Sequence, residues 1–281
     1  MQKFFLINKE FVTENDAKIS IKQRACLFGD GIFETCRVEN SKIYNFKAHK
    51  NRIKAGLQAL KFKDKINKID ELEYICYQLI KKNELENGIL RIAISRGIGS
   101  VGYLPTYDSE TLIVVETMPQ RKVSDGKIIL GIGKNKKPPK NSLPINCKTM
   151  QGLCYTLNKI EAQEKGFFDC IMLSQKNFIS ETSSANIFWV KNDQIYTPAE
   201  TCDILLGTIR EKLLKNKNLK IKKLSAKIST LKNADEIFLT NTSFLVLPVD
   251  ELRVGKNVIK FKKDIGEKVL QFLQDDVKKL C

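Results

Sequence analysis

Between residues 145 and 190 the chain sets a lysine, a helix, a strand and a polar turn in one order, and that order constrains the fold more than any property of composition. Lys148 stands in Ile145-Asn146-Cys147-Lys148-Thr149-Met150-Gln151, ahead of a segment with helical character from about 150 to 165 that contains Leu157-Asn158-Lys159-Ile160-Glu161-Ala162. A strand near Cys170–Leu173 separates it from Ile179-Ser180-Glu181-Thr182-Ser183-Ser184-Ala185-Asn186-Ile187-Phe188-Trp189, where a glutamate leads a hydroxyl-rich run into an apolar strand. A single lysine among 48 basic residues is a solvated charge by default. Taken alone, Lys148 is no exception: a lysine forms a Schiff base with a carbonyl where burial or cationic neighbours depress its pKa enough to free the amine.

The chain is long enough for one large domain or two modest ones, and its 42% hydrophobic residues suffice for a buried core. Phe4 to Val12 reads as strand, turn, strand. Leu90-Arg91-Ile92-Ala93-Ile94 alternates, and Leu112-Ile113-Val114-Val115 is continuously apolar. Between them Ile53, Leu57 and Leu60 share a helical face after Arg52, and Leu72, Ile75, Cys76, Leu79 and Ile80 share another behind an Asp70 cap. Strands bracketing helices predict an α+β domain over 1–117. Residues 118–126, Met118-Pro119-Gln120-Arg121-Lys122-Val123-Ser124-Asp125-Gly126, break the apolar pattern and read as a linker. A second domain over 127–281 holds strands near 127–132, 170–173, 185–190, 236–240 and 244–249. It also holds helices near 150–165, after Gly207, and along Ile265, Val269, Phe272, Leu273 and Leu280.

Phe4-Phe5-Leu6-Ile7 is followed by Lys9 and Glu10 and is too short for a signal-peptide core or a membrane span, so no membrane partner and a cytoplasmic location are expected. Eight cysteines without a C-x-x-C pair are expected to be reduced and buried, and one histidine, His49, leaves few soft ligands for a metal. The formal charge of +16 would suit nucleic acid, and 134–140 and 215–223 are locally basic. No nucleic-acid signature accompanies them, so the lysines are read as solvated surface that steers anionic small molecules.

The segments around Lys148 and Glu181 resemble the core of the fold-type IV pyridoxal-phosphate enzymes, which include branched-chain and D-amino acid aminotransferases and aminodeoxychorismate lyase. The resemblance implies a two-domain α+β fold with a smaller N-terminal α+β domain and a larger C-terminal mixed-sheet domain, pyridoxal 5'-phosphate as cofactor, and a homodimer. Lys148 is implied as the covalent lysine, since Glu161-Ala162 stands at the family's offset from it and not from Lys159. Glu181 matches the acid that partners the ring nitrogen. Ile204-Leu205-Leu206-Gly207-Thr208-Ile209-Arg210 resembles the family's Gly-Ile-Thr-Arg turn with Ile and Thr exchanged, so the N–H groups of Thr208 and Ile209 behind Gly207 are implied as phosphate donors. His49-Lys50-Asn51-Arg52-Ile53 resembles His-Leu-x-Arg-Leu, which gives Arg52 to the same phosphate, and Thr242-Ser243 resemble the hydroxyl pair that completes the cup.

Arg24 and Phe28-Gly29-Asp30-Gly31-Ile32-Phe33-Glu34-Thr35-Cys36-Arg37 match the N-terminal signature, so the likeness spans nearly the whole chain. Phe33, Thr35, Arg96 and Tyr103 are the implied substrate-binding residues. Phe33-Glu34-Thr35, Asn186-Ile187-Phe188-Trp189 and Ile94-Ser95-Arg96-Gly97-Ile98-Gly99 look most like the lyase, which converts 4-amino-4-deoxychorismate to p-aminobenzoate and pyruvate. Val101 stands where the lyase has an arginine, while Gly102 and Leu104 replace the Arg-x-His carboxylate trap of D-amino acid enzymes. The lyase is therefore ranked first, with a class IV aminotransferase of D- or branched-chain amino acids as the alternative.

Overall fold

The computed structural model describes residues 2–62, 69, 71–99, 102–106, 110–120, 122–124, 126–144 and 147–279. Its residues gather into two compact units. One comprises Met1–Arg121 with Cys147–Gln151 and Val277–Cys281, and the other Lys122–Asn146 with Gly152–Asp276.

The first unit runs β1 (Phe4–Ile7), β2 (Glu10–Thr13), α1 (Arg24–Phe28), β3 (Gly31–Glu39), β4 (Lys42–Ile43), α2 (Phe46–Ala59), α3 (Leu72–Lys82), β5 (Gly88–Ser95) and β6 (Leu112–Pro119). Its strands form a six-stranded antiparallel sheet in the order β2-β1-β6-β5-β3-β4. Alternation sorts the side chains by face. Ile32, Cys36, Val38, Leu90, Ile92, Ile94 and Val115 point into a core shared with Ile53 and Leu57 of α2 and Leu79 and Ile80 of α3. Phe33, Thr35 and Arg37 alternate with them and are only half-buried. The helix expected after Arg52 begins earlier, at Phe46, so His49 and Arg52 lie inside it and Leu60 follows its end. The Asp70 cap falls outside the described residues, and α3 starts at Leu72 after Glu71.

β4 pairs with β3 only at Val38 and Glu39. The first residues of β3 thus have a bare edge, whose N–H and C=O groups need partners. Residues 147–150 supply them from far along the chain. The N–H of Phe33 donates to the Lys148 carbonyl at 2.8 Å, the N–H of Met150 donates to the Gly31 carbonyl at 2.9 Å, and Ile32 bridges Thr149 in antiparallel register. Lys148 is thereby stitched onto β3.

The second unit runs β7 (Ile129–Ile132), α4 (Leu153–Glu164), β8 (Asp169–Leu173), β9 (Ile179–Thr182), β10 (Asn186–Lys191), β11 (Gln194–Pro198), α5 (Thr208–Lys215), β12 (Lys222–Leu224), β13 (Glu236–Asn241), β14 (Leu245–Pro248), β15 (Glu251–Val254), β16 (Asn257–Lys260) and α6 (Asp264–Lys278). Its sheet has the path β12-β11-β10-β9-β8-β7-β15-β16, with β13 joining β10 to β14. Parallel pairs β7–β8, β7–β15 and β11–β12 among antiparallel neighbours make it mixed. Ile171, Ile187, Trp189, Ile237, Leu239 and Leu252 build its core. The Glu236 carboxylate caps α6 from a distance, accepting from the N–H groups of Ile265 and Gly266 at 2.9–3.0 Å. The α+β class, with a mixed-sheet second part, follows from these elements.

All seven described cysteines are free, and five of them are buried while Cys26 is exposed. Among the described residues no helix is long and apolar enough to cross a membrane, and no His, Cys, Asp and Glu group has the arrangement of a metal site. The basic run 134–140 is not all solvated surface, since Lys137 is completely buried.

Gly31 sits where the Lys148 segment meets the sheet. A Cβ there would lie 2.6 Å from the Ile94 carbonyl oxygen and 2.8 Å from the Met150 sulfur. Gly31→Ala is expected to destabilise the protein by about 1–3 kcal/mol through overpacking, read as a lowered urea midpoint with an unchanged m-value. A midpoint equal to wild type would show that the segment is not held against β3 in this way.

Candidate active site

Glu34 breaks the apolar alternation of β3 and is 2% exposed on the core face. The helix behind it supplies the compensation. Glu34 Oε1 accepts from Arg52 Nε at 2.6 Å, and Oε2 from Arg52 Nη2 at 2.7 Å, with His49 Nδ1 also at 2.7 Å. Burial by itself would raise the Glu34 carboxyl, but the Arg52 guanidinium and the His49 contact outweigh it and hold the group down at about 2. The fork-to-fork pair fixes the Arg52 side chain, the residue implied for phosphate. His49 Nε2 is buried without a hydrogen-bond partner among the described residues.

On the opposite face of β3, Phe33 carries two cations. Lys148 Nζ lies 4.4 Å from the centre of its ring, and the Arg91 guanidinium of β5 lies 5.0 Å from it. Arg91 is exposed and sits directly across from Thr35 in the ladder. Phe33, Thr35, Lys148 and Arg91 therefore form one cluster.

Arg96 and Tyr103 belong to a different one. Arg96 directs Nε at Asp30 Oδ2 (2.9 Å), Nη2 at the Leu60 carbonyl (2.6 Å) and Nη1 at the Lys61 carbonyl (3.3 Å), with its guanidinium over the Phe62 ring. Arg24, nearly fully buried, shares Asp30 at 2.7 Å and donates to the carbonyls of Gly102 (2.9 Å) and Tyr103 (2.8 Å). Tyr103 is 87% exposed and leans on Phe28. Burial pushes the Asp30 carboxyl up, and the two arginines pull it below its usual value. Ser100 and Val101 lie outside the described residues.

In the second unit Glu181 is buried and its carboxylate is met by three donors. Oε1 accepts from Lys137 Nζ at 2.6 Å, and Oε2 from Asn186 Nδ2 and the Leu205 N–H, both at 3.0 Å. Asn186 also donates to the Leu205 carbonyl at 2.8 Å, which ties β10 to the turn before α5. Gly207 is the N-cap of α5, and a Cβ on it would stand 2.0 Å from Asn186 Oδ1. The residue is glycine because the amide occupies that space. Thr208 and Ile209 follow as the first helical residues, both buried, and Thr208 Oγ1 lies 3.4 Å from Thr242 Oγ1. Ser243 continues that turn, its N–H donating to Asn241 Oδ1 at 2.9 Å. Glu181, Gly207, Thr208 and Thr242 are thus linked in one chain of contacts through Asn186.

The description "Amino-transferase class IV" fits residues 31–252 of this sequence as a family model. The chain belongs to the class IV aminotransferase family. A provisionally named branched-chain-amino-acid aminotransferase of Methanocaldococcus jannaschii is 29% identical over 268 residues, covering 93% of this chain and 91% of that protein. A D-alanine aminotransferase of Staphylococcus aureus is 30% identical over 258 residues, covering 90% and 89%. Among solved structures, the Escherichia coli branched-chain amino acid aminotransferase superposes with TM-score 0.87 at 24% identity over 96% of this chain and 93% of that one. The 4-amino-4-deoxychorismate lyase of Pseudomonas aeruginosa superposes with TM-score 0.81 at 20% identity over 97% and 98%.

Class IV aminotransferases use pyridoxal phosphate, and this member is a pyridoxal-phosphate-dependent enzyme of aminotransferase or lyase type with the fold-type IV architecture. Its residues fit that group. They include a lysine beside an aromatic face, a buried carboxylate with its partners in place, and a helix N-terminus whose entry glycine has no room for a side chain. The lyase ranking needs correction. The two curated relatives described above, each aligning over nine tenths of the chain, are aminotransferases, whereas the likeness to the lyase, at 20% identity, speaks to the fold alone. Short segments around Phe33 and Asn186 suggested the lyase, but likeness to aminotransferases along nine tenths of the chain outweighs matches of that length.

Three residues of these clusters escaped sequence reading. Glu34 was seen only as part of a signature, Arg91 only as part of an alternating strand, and Lys137 only as one of a basic run. The signal available for Glu34 was a charged residue at an inward position of an otherwise apolar strand.

Glu34→Ala leaves Arg52 and His49 without their carboxylate and is expected to cost about 3–5 kcal/mol. Because the folded pKa is depressed, the wild-type contribution is complete above the ordinary glutamate range and is lost as pH falls through about 2. Chemical denaturation from pH 7 to pH 2 should therefore show a wild-type loss at the acid end that Glu34→Gln lacks. Parallel curves for the two proteins would refute the assignment.

Proposed function

We propose that this protein is an aminotransferase that moves the amino group of D-alanine or of a branched-chain amino acid to an oxo acid, with Lys148 as the lysine that carries the cofactor. The observation that carries the reading is the Phe33 ring, with an amine on it at 4.4 Å and an anion-binding guanidinium at 5.0 Å. An amino acid presents a carboxylate and a Cα–H on adjacent atoms, and Arg91 and Lys148 are the matching groups. Similarity to aminotransferases along nine tenths of the chain supports the same conclusion.

When bound, pyridoxal phosphate supplies the electron sink that lets a Cα proton leave. Lys148 Nζ takes that proton as general base, and its place on the edge of β3 fixes its reach. Arg91 receives the substrate carboxylate, in preference to Arg96, whose donors are directed at Asp30, Leu60 and Lys61. Phe33 and Thr35 bound the side-chain space, and Tyr103 stands exposed on the loop held by Arg24. Within the second unit the Thr208 and Ile209 N–H groups, Thr242 and Ser243 would hold the phosphate and Glu181 the ring nitrogen, and Arg52 keeps the phosphate role that the family resemblance implies for it. A homodimer in the cytoplasm and a small anionic substrate complete the proposal, with no nucleic-acid or membrane role.

Borohydride reduction of the cofactor-loaded protein should leave one adduct, and peptide mapping should place it on Lys148. An adduct on Lys159 or Lys137 would overturn the assignment.

Given D-alanine or a branched-chain amino acid alone, the protein should convert stoichiometrically to its amine-form cofactor and stop until an oxo acid is added. Release of p-aminobenzoate and pyruvate from aminodeoxychorismate, with the cofactor still an aldehyde, would restore the lyase. Arg91→Ala should raise KM by roughly 10–100-fold, the worth of one charge-assisted contact, with a smaller change in kcat.

A further inference from the structure

We propose that Lys137 is a positioning residue that holds Glu181 as a carboxylate and so keeps a proton on the cofactor ring nitrogen that Glu181 faces. The inference rests on the reading of Glu181 as the partner of that nitrogen. Lys137 is placed for one purpose. Its backbone N–H donates to the Leu173 carbonyl at 2.9 Å and its carbonyl accepts from Gln175 Nε2 at 2.8 Å, so the main chain is clamped to the end of β8. From there the side chain runs inward, fully buried, to Glu181 Oε1 at 2.6 Å and to the Tyr155 hydroxyl of α4, whose ring centre lies 4.2 Å from Nζ.

A lysine ammonium taken out of water carries a penalty of several kcal/mol unless a charge and hydrogen bonds compensate it. Here the partner is the glutamate assigned to the cofactor. Burial works to neutralise Lys137, but the carboxylate of Glu181 and the oxygen of Tyr155 outweigh it and raise the lysine above its ordinary value. An amine held protonated is a poor nucleophile, which separates Lys137 from Lys148 in role.

The consequence for the ring follows from distance. The proton shared between Glu181 and a ring nitrogen can rest on either. The ammonium touches the carboxylate itself, 2.6 Å from Oε1, and a ring nitrogen bonded to Glu181 would be a more distant neighbour, so the ammonium would stabilise the carboxylate charge more than it disfavours the pyridinium, because Coulomb energy falls with separation. The arrangement with the proton on nitrogen therefore wins. Among the described residues, titratable groups that act on this pair include Tyr155 and Cys154 of α4 and Arg210 of α5. Burial and the neighbouring carboxylate push Tyr155 up to about 12, so it stays neutral, and Arg210, pinned to the Pro198 carbonyl at 2.8 Å, adds charge of the same sign as Lys137.

The test loads wild type, K137Q and K137R with cofactor labelled with 15N in its ring. Glutamine keeps polar contacts without the charge, and arginine keeps the charge. Wild type and K137R should show a pyridinium nitrogen, and K137Q a resonance displaced toward the unprotonated pyridine. A pyridinium signal unchanged in K137Q overturns the proposal. In parallel, the Glu181 carboxyl is followed in cofactor-free protein by 13C labelling, assigned through E181Q. Its titration should move to higher pH in K137Q, and an unmoved titration also overturns the proposal. If the wild type takes up no labelled cofactor, the reading of Glu181 fails, while the carboxyl titration still decides whether Lys137 holds it. The 15N-lysine spectrum of the wild type needs no variant: a Lys137 found neutral at pH 7 would refute the idea outright.

Discussion

A carboxylate placed inside a sheet must bring its counter-charge with it, and both halves of this protein are arranged around that requirement. In the first unit the carboxylate is Glu34, and the answer is a helix that starts at Phe46, early enough to carry both His49 and Arg52 to it. In the second the carboxylate is Glu181, answered by Lys137, Asn186 and the Leu205 N–H. An unpaired buried charge would cost more than a typical side-chain contact returns, so these partners are structural necessities before they are functional ones.

The same pairings orient the residues of the proposed site. With Glu34 inward, the two-residue period of β3 turns Phe33 and Thr35 to the other face, where Lys148 and Arg91 meet the Phe33 ring. Asn186, bonded to Glu181 and to the Leu205 carbonyl, ties down the turn before α5, and Gly207 is required there because the Asn186 amide occupies the position of a Cβ. Packing and site are therefore not separable layers in this chain. A substitution at Glu34 or Asn186 acts on both.

The capture of residues 147–150 by β3 has a similar logic. β4 leaves most of the edge of β3 uncovered, and backbone groups at an edge need partners. The segment that fills this edge carries Lys148, so the reach of the lysine is set by main-chain hydrogen bonds at 2.8 and 2.9 Å and not by the flexibility of a loop. Arg24 does comparable work for the stretch around Tyr103, holding two of its carbonyls while Asp30 neutralises it.

Much of this was legible beforehand. The segments around Lys148, Glu181 and Gly207 resemble those of the family, and that resemblance pointed to the fold and to pyridoxal phosphate. Apolar periodicity located β5, β6, α3 and β8, since burial of one face is written directly into the pattern. It did not reveal β3, whose inward Glu34 interrupts the alternation, nor single out Lys137 from the basic run that contains it. Their partners are distant in sequence: Glu34 is bonded to Arg52, 18 residues away, and Lys137 to Glu181, 44 residues away. Which charged residues are buried, and against what, is a property of the folded chain, because only tertiary packing removes the water that would otherwise solvate each of them alone.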